Sequence, residues 1–242
     1  MGGTSAAEMK QRFILVVDNN VDDRFHTSMV LQRFGYNIST ARSGEEAVEF
    51  MSVSPPAAVV SEAGLTGAGL LSRIKKDARF SDVPLILVST RPDQALEDRA
   101  RRGEYAAFLR KPVDVEELYR VIQSAVEKTP RRNIRISVYL KAKLEDDPEG
   151  TDAFVTVISE YGMFFRTLDS RPANTRVPVS LEINGRSVRL EAIVLYTSSF
   201  DEGPFKEPGM GMKFVKISPE DQALIKTFIL EQVGKDSVPP GA

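Results

Sequence analysis

Short apolar runs alternate with amphipathic stretches between Phe13 and Lys128. Short apolar runs bounded by polar or turn residues are typical of buried parallel strands, and apolar residues at helical spacing are typical of amphipathic helices. The predicted strands are Phe13–Val17, Asn37–Thr40, Ala57–Val60, Pro84–Val88 and Ala106–Leu109. The predicted helices are Asp22–Phe34, Gly44–Met51, Gly69–Lys76, Pro92–Arg102 and Val115–Lys128. This succession of βα units predicts an α/β domain with a doubly wound parallel sheet.

The pattern changes after Thr129-Pro130, where apolar and polar residues begin to alternate. Such alternation is typical of strands with one buried face. The predicted strands are Ile134–Leu144, Ala153–Ile158, Met163–Leu168, Arg176–Ile183, Ser187–Tyr196 and Gly211–Ile217. Asn184-Gly185 is a strong hairpin signal, and a last helix, Glu220–Gln232, is predicted to follow the N-cap Ser218. Six strands and a helix predict a small β-barrel, closed or nearly closed.

The chain of 242 residues is therefore predicted to form two domains, residues 12–128 and 129–235, with flexible tails at 1–11 and 236–242. Because 42% of the residues are hydrophobic and 27% are charged, a packed core is expected and general disorder is excluded.

The amino-acid composition excludes several kinds of catalytic and metal site. Cysteine is absent and His26 is the single histidine, which excludes disulfides, thiol nucleophiles and Cys-rich zinc sites. On either side of Lys128, acidic residues exceed basic ones by one, which is not the balance of a general nucleic-acid binder. The sequence contains no apolar run long enough for a membrane span and no leader-like segment at its start. We therefore expect a cytoplasmic protein with no DNA partner and no membrane span.

Polar residues cluster where the predicted parallel strands end. In doubly wound sheets, the carboxyl ends of the strands form the functional site. The residues at these ends are Asp18, Asn19, Ser61, Glu62, Ser89, Thr90 and Lys111. With the stretches FILVVDNN, VPLILVST and AAFLRKPVDVEEL, the set resembles the receiver domain of two-component response regulators over about residues 12–128. The resemblance implies the flavodoxin-like (βα)5 fold of that family.

In receivers, an acidic pair binds Mg²⁺, an Asp is phosphorylated, and a Ser or Thr and a Lys stabilise the phosphoryl oxygens. Asp18, Ser89 and Lys111 match this pattern. Asn19 replaces one acid, which removes a charge that a hard cation prefers. Glu62, or alternatively Ser61, stands at the phosphoacceptor position, and Glu is longer than Asp by one C–C bond, about 1.5 Å. The resemblance with these departures implies a degenerate phosphoacceptor pocket, without Mg²⁺, that is not switched by phosphorylation.

Two interpretations of this pocket stay open. Glu62 could pair with Lys111 and hold a permanently active-like state, because its carboxylate reaches where the phosphoryl group would lie. Alternatively, Asp18, Glu62 and Lys111 form a residual polar cluster that satisfies itself. The family also implies that the last helices, here Pro92–Arg102 and Val115–Val126, dock a partner or form a homodimer.

Residues 130–232 carry the sequence elements of a second family. Arg131, Arg132 and Arg135 form an R-x-x-x-R arrangement before a strand, and Ser159 and Gly162 follow in VISEYG. With GMGMKFV and SPED behind them, these elements resemble the PilZ domain, a bacterial receptor for cyclic di-GMP. Guanidinium groups can fork onto phosphate oxygens or the O6/N7 edge of guanine. The resemblance therefore implies a candidate cyclic di-GMP site at these five residues.

One position departs from the PilZ pattern. Val157 stands where the family motif has Asp or Asn, and a Val side chain offers no polar atom to a guanine edge. Losing such a hydrogen bond costs about 1–3 kcal/mol, or roughly tenfold to a few hundredfold in affinity. Weak binding and loss of binding both stay open. A structural alternative is that the arginines form a solvated linker and that Ser159 and Gly162 form an ordinary strand turn.

The sequence as a whole predicts a non-enzymatic bacterial signalling regulator, a pseudo-receiver joined to a PilZ domain. We expect no cofactor, weak cyclic di-GMP binding as the one small-molecule interaction, and output through protein–protein contacts, for example in the control of motility or exopolysaccharide. The alternative is an interaction scaffold that binds neither a phosphoryl group nor cyclic di-GMP.

Overall fold

The structure of the protein is a computed structural model that describes residues 13–66, 74, 77–147, 153–200 and 207–234. The described chain forms two compact units, one up to Arg132 that also includes Val233 and Gly234, and one of residues 133–232. Apart from Ile74, the predicted helix Gly69–Lys76 lies outside the described residues, as do the predicted tails 1–11 and 236–242.

The first unit is built on a five-stranded parallel sheet with the strand order β2-β1-β3-β4-β5. This is the order of a flavodoxin-like sheet and confirms the predicted doubly wound fold. The strands are β1 Phe13–Val17, β2 Asn37–Ala41, β3 Ala58–Glu62, β4 Leu85–Ser89 and β5 Ala107–Arg110. The described helices are α1 Val21–Arg33, α2 Gly44–Val53, α3 Gln94–Arg101 and α4 Val115–Val126, with a 3₁₀ turn at Ala63–Thr66.

Each of these helices begins where a short polar side chain accepts a backbone N–H of the first turn. The caps are Asn20, Ser43, Asp93 and Asp114. Because Asp93 is the cap, α3 begins at Gln94 and not at the predicted Pro92. The backbone of Glu127 is extended, so α4 ends at Val126, before the predicted Lys128.

The central strands are apolar along their whole length because helices cover both faces of the sheet. Leu15, Val59 and Leu87 are fully buried and belong to one cluster with Ala47 and Met51 of α2. Burying one such aliphatic side chain stabilises the fold by about 1.5–3 kcal/mol. The packed strands thereby hold their carboxyl ends in fixed positions.

The second unit is a closed six-stranded barrel with the order β10-β11-β8-β7-β6-β9, which confirms the predicted barrel. Its strands are β6 Arg135–Leu144, β7 Ala153–Ser159, β8 Gly162–Arg166, β9 Arg176–Ile183, β10 Arg186–Ser198 and β11 Gly209–Lys216. β8 stops before the predicted Leu168, whose side chain is 80% exposed. Closure pairs β9 with β10 and leaves no strand edge open within the barrel.

Two local signals in the barrel sequence are confirmed. Asn184 and Gly185 both have positive φ angles, 51° and 77°, and Ile183 pairs with Arg186 across the two-residue loop. The last helix, α5 Pro219–Gly234, begins after Ser218, whose hydroxyl accepts the backbone N–H of Asp221 at 3.0 Å. None of the helices in the described parts of the chain is long and apolar enough to cross a bilayer.

Candidate functional site

The parallel sheet brings residues from three of its strand ends together around one ammonium group. Asp18 follows β1, Glu62 ends β3, and Lys111 follows β5. The Nζ atom of Lys111 lies 2.6 Å from Oδ2 of Asp18 and 2.7 Å from Oε2 of Glu62. Because β1 pairs with β3, and β4 lies between β3 and β5, these ends meet at one edge of the sheet.

A third carboxylate, which the sequence analysis missed, completes the cluster. Oδ2 of Asp23 lies 2.8 Å from Nζ of Lys111. Asp23 reaches the cluster because Asn20 caps α1 through the N–H groups of Asp22 and Asp23, at 2.9 and 3.1 Å. The cap fixes the first helical turn beside the end of β1. The N-cap signal of Asn20, with an acid three residues later, is the pattern that could have identified Asp23.

Asp18 is engaged at each of its oxygens. Its side chain is nearly buried, Oδ2 accepts from Lys111, and Oδ1 accepts the backbone N–H of Asn20 at 2.9 Å. Its carbonyl oxygen accepts a hydrogen bond from the guanidinium of Arg24. A ligand that approached Asp18 would therefore compete with hydrogen bonds already made within the protein.

The structure distinguishes Glu62 from Ser61, which the sequence left as alternatives. Ser61 is fully buried, and its hydroxyl donates to the carbonyl oxygen of Glu62 at 3.3 Å. Glu62 instead carries its carboxylate to Lys111 and lines the open cleft above the strand ends. Of the two, Glu62 is therefore the side chain that faces the cleft.

The cleft is open to solvent and has a volume of about 650 Å³. Exposed Asn19 and buried Ser89 also line it. The hydroxyl of Ser89 accepts the backbone N–H of Arg91 at 3.1 Å, and its carbonyl oxygen accepts the backbone N–H of Lys111 at 2.8 Å. The five residues predicted for this pocket, Asp18, Asn19, Glu62, Ser89 and Lys111, thus surround one cleft. The cleft has room for a small ligand, and these groups are the ones that such a ligand would contact.

The electrostatics of the cluster depend on Lys111, whose side chain is 10% exposed. Burial lowers the pKa of Lys111, but the contacts with Asp18, Asp23 and Glu62 outweigh burial and hold this pKa above its ordinary value. The ammonium therefore keeps its charge at neutral pH and stays between the carboxylates. Among the described residues, no group of three ligating side chains is arranged to hold a metal ion. The arrangement is an ion cluster in which three carboxylates share one buried ammonium.

The second group of predicted residues lies on β6 and β7 of the barrel. In the register of this pair, Arg135 faces Ser159, Ile136 faces Ile158, and Ser137 faces Val157. Directly opposed residues point to the same side of a sheet. Ile136 and Ile158 are fully buried, so the Arg135–Ser159 and Ser137–Val157 pairs lie on the outer side. The structure therefore places Arg135, Ser159 and the departing position Val157 on one outer face.

The turn between β7 and β8 is tightly held. The hydroxyl of Ser159 donates to the carbonyl oxygen of Gly162 at 3.1 Å. A Cβ atom on Gly162 would lie 2.4 Å from the carbonyl oxygen of Met212 on β11, so only glycine fits there. The carbonyl oxygen of Tyr161 accepts the N–H of Phe214 at 2.9 Å. Ser159 and Gly162 therefore have a structural role in this turn, whatever ligand the face binds.

The remaining arginines precede β6. Arg131 and Arg132 are exposed, and the backbone N–H of Arg131 donates to Oε1 of Gln123 at 2.9 Å. Val157, by contrast, is only 8% exposed although it lies on the outer side of the barrel wall. The outer face thus presents the cation of Arg135, while Ser159, which is 7% exposed, and Val157 lie nearly buried beside it.

Two family models match the chain, one for each compact unit. The response regulator receiver domain matches residues 14–123, and the PilZ domain matches residues 129–231. Together, the two matches describe a signalling regulator.

Similar curated proteins cover the first of these domains. Protein PilH of Pseudomonas aeruginosa is 27% identical over 116 residues, which are 47% of this chain and 96% of that protein. The two-component response regulator ORR3 of Oryza sativa is 29% identical over 119 residues, 48% of this chain and 91% of that protein. Among solved structures, a response regulator receiver domain protein from Clostridium thermocellum is 22% identical with a TM-score of 0.44, and the match covers 48% of this chain and 95% of that one.

Proposed function

We propose that this chain, which joins a response regulator receiver domain to a PilZ domain, is a non-enzymatic signalling regulator whose receiver domain does not act as a phosphorylation switch. The observation that carries this proposal is the arrangement around Lys111. Three carboxylate oxygens already lie within 2.8 Å of Nζ. Those of Asp18 and Asp23 accept hydrogen bonds from the ammonium, and that of Glu62 forms an ion pair with it. A phosphoryl group would have to displace these contacts to reach the lysine.

Glu62 gives a second reason to propose that the receiver domain is not switched by phosphorylation. A carboxylate at this position is a poor phosphoacceptor when it pairs with the lysine that should stabilise the product. Its extra carbon also moves the nucleophilic oxygen by about 1.5 Å relative to an Asp. Neutral Asn19 lowers the negative charge available to a divalent cation. The Glu62–Lys111 pair acts as a fixed substitute for the contact that phosphorylation would otherwise create.

Treatment with a phosphoryl donor tests this proposal. The chain is incubated with acetyl phosphate and Mg²⁺ and its intact mass is measured, and beryllofluoride is titrated in parallel. We expect no added phosphoryl mass and no saturable change in the wild-type protein. The matched control is the double variant Asn19→Asp/Glu62→Asp, which restores both missing acids and should gain a phosphoryl group. A saturable, Mg²⁺-dependent change in the wild type would sink the proposal.

For the second domain, we propose weak binding of cyclic di-GMP, the ligand of the PilZ family, through Arg131, Arg132, Arg135, Ser159 and Gly162. The shared outer face of Arg135 and Ser159 supports this assignment, and the apolar Val157 on the same face is the reason for low affinity. Calorimetry with the dinucleotide is the test. Arg135→Ala should lose binding, while Arg189→Ala, which removes an exposed arginine of β10, should bind as the wild type does. An unchanged Arg135→Ala variant would count against this site.

The alternative is a scaffold in which neither domain takes a small ligand. Both versions act through protein partners in the cytoplasm of a bacterial cell, with motility and polysaccharide export as candidate processes and the receiver helices as candidate docking or homodimer surfaces. Failure of the wild-type chain to bind cyclic di-GMP would favour the scaffold.

A further inference from the structure

Gln123 on α4 is a buried polar residue that belongs to neither candidate site. It is 3% exposed, although glutamine is usually a surface residue. A buried side-chain amide is costly unless its donors and acceptor find partners. The partners of Gln123 therefore show why this position carries an amide.

The amide of Gln123 lies in a one-way chain of hydrogen bonds. Oε1 accepts the backbone N–H of Arg131 at 2.9 Å, and Nε2 donates to the hydroxyl of Tyr36 at 2.8 Å. The hydroxyl of Tyr36 in turn donates to Oε1 of Glu127 at 3.2 Å. The orientation is forced, because a backbone N–H can only donate and a carboxylate can only accept. Burial, with the charge of Glu127, raises the pKa of Tyr36, so its hydroxyl keeps the proton that it donates.

This network of hydrogen bonds holds the segment after α4 against the helix. α4 ends at Val126, and Arg131 is the first arginine of the proposed cyclic di-GMP site. One hydrogen bond to a buried amide fixes the backbone at that arginine and leaves its side chain exposed. An arginine whose backbone is already placed loses less freedom when it binds a ligand.

We infer that Gln123 is a positioning residue that holds Arg131 for cyclic di-GMP. The ligand-binding part of the inference rests on the proposed function of the PilZ domain, and the backbone contact does not.

Amide hydrogen exchange at Arg131, measured by NMR on the full chain without ligand, tests the contact. Gln123→Leu removes the acceptor of the Arg131 N–H. Tyr36→Phe removes the two hydrogen bonds of the Tyr36 hydroxyl, to Gln123 and Glu127, and leaves that acceptor in place. We expect exchange at Arg131 to accelerate roughly tenfold or more in Gln123→Leu and at most slightly in Tyr36→Phe. Equal exchange rates in wild type and Gln123→Leu, or equal acceleration in both variants, would overturn the inference. Should Gln123→Leu not fold, Gln123→Met replaces it.

Calorimetry with cyclic di-GMP on the same proteins tests the positioning role. We expect Gln123→Leu to weaken binding about three- to tenfold and Tyr36→Phe to change it less, although each variant removes two hydrogen bonds of the network. Unchanged affinity in Gln123→Leu would overturn the positioning role even if exchange is faster. If the wild type does not bind the dinucleotide, the proposed function of the PilZ domain fails, whereas the exchange result still decides whether Gln123 holds Arg131.

Discussion

At the scale of single residues, the receiver domain depends on what surrounds the ammonium of Lys111. Asp18, Asp23 and Glu62 contact it from three separate chain segments. Removing Lys111 would leave the nearly buried carboxylate of Asp18 without its cation, and breaking a buried pair in this way commonly costs about 3–5 kcal/mol. The cluster therefore stabilises the fold, and in the proposed pseudo-receiver it also occupies the lysine that would otherwise contact a phosphoryl group.

The raised pKa of Lys111 predicts a loss of stability at alkaline pH. In the unfolded chain this lysine releases its proton near its ordinary pKa of 10.5, whereas the folded chain keeps the proton to higher pH. The stability that the ammonium contributes is fully present below pH 10.5 and is lost as the pH rises through the folded pKa. We expect the free energy of unfolding in urea to fall above this pH, and to fall less steeply in Lys111→Met.

The comparison needs a fixed background because the pKa of Tyr36 is also raised by burial. A tyrosine whose folded pKa is raised also loses stability with rising pH above its unfolded value. Both proteins should therefore carry Tyr36→Phe. Identical slopes with and without Lys111 would contradict the prediction.

A second residue-scale prediction concerns Val157. Its outward position opposite Ser137 means that an amide there would face the same side as Arg135 and Ser159. We expect Val157→Asn to tighten cyclic di-GMP binding about tenfold to a hundredfold by restoring one hydrogen-bonding group. Calorimetry measures the change, and Val155→Asn, which is fully buried on the same strand, should destabilise the barrel instead. No gain in affinity for a folded Val157→Asn protein would argue against this face as the ligand site.

At the scale of elements, close backbone packing determines the turn between β7 and β8. Ser159 bonds Gly162 within the turn, and β11 approaches Gly162 so closely that a methyl group has no room. The barrel fold therefore requires a glycine at position 162 and is stabilised by Ser159, whether or not a ligand binds. For this reason the match of Ser159 and Gly162 to the PilZ motif supports the fold more than it supports binding.

This packing predicts a strong effect of Gly162→Ala. The added Cβ would lie 2.4 Å from the carbonyl oxygen of Met212, which is backbone and cannot rotate away. We expect about 2–3 kcal/mol of destabilisation from such overpacking, seen as a lower urea midpoint. Gly185→Ala is the matched control, because its Cβ would meet nothing within 4 Å and only the positive φ angle is unfavourable. Its cost should be about 1–2 kcal/mol. An equal or smaller loss in Gly162→Ala would contradict the packing argument.

At the scale of the whole molecule, the chain combines a receiver domain and a PilZ domain, and we propose that each departs from its family at the ligand position. Asn19 and Glu62 alter the first site, and Val157 alters the second. The overall formal charge of −2 gives no electrostatic drive toward nucleic acid. These properties fit the proposed output through recognition of a protein partner.

If the receiver domain is not a switch, phosphoryl chemistry should leave the PilZ domain unaffected. We expect beryllofluoride with Mg²⁺ to change the affinity of the full chain for cyclic di-GMP by less than about twofold, since an effector shifts binding only through differential affinity for two states. Calorimetry with and without beryllofluoride gives the comparison. A larger shift would show that the receiver domain still responds to a phosphoryl mimic.

Much of the fold follows from local sequence patterns. The apolar runs of β1 and β4, the caps Ser43 and Asp114, and the Asn184-Gly185 hairpin each depend on residues a few positions apart. Strand-end placement of Asp18, Glu62 and Lys111 follows from the same pattern, because parallel strands bring their carboxyl ends to one edge. The resemblance to the receiver family then indicated which of these strand-end residues to compare with the phosphorylation site of that family.

The contacts that define the chemistry were decided by tertiary structure. Asp23 is 88 positions from Lys111, and Tyr36 is 87 positions from Gln123, so no periodicity in the sequence relates them. The choice of Glu62 over Ser61 depended on which side of β3 faces the cleft, and the outward position of Val157 depended on the β6–β7 register. The sequence by itself determined the elements and the two domain types, since periodicity and capping act between near neighbours. Packing between distant segments decided which polar groups meet, because only the folded chain sets those distances.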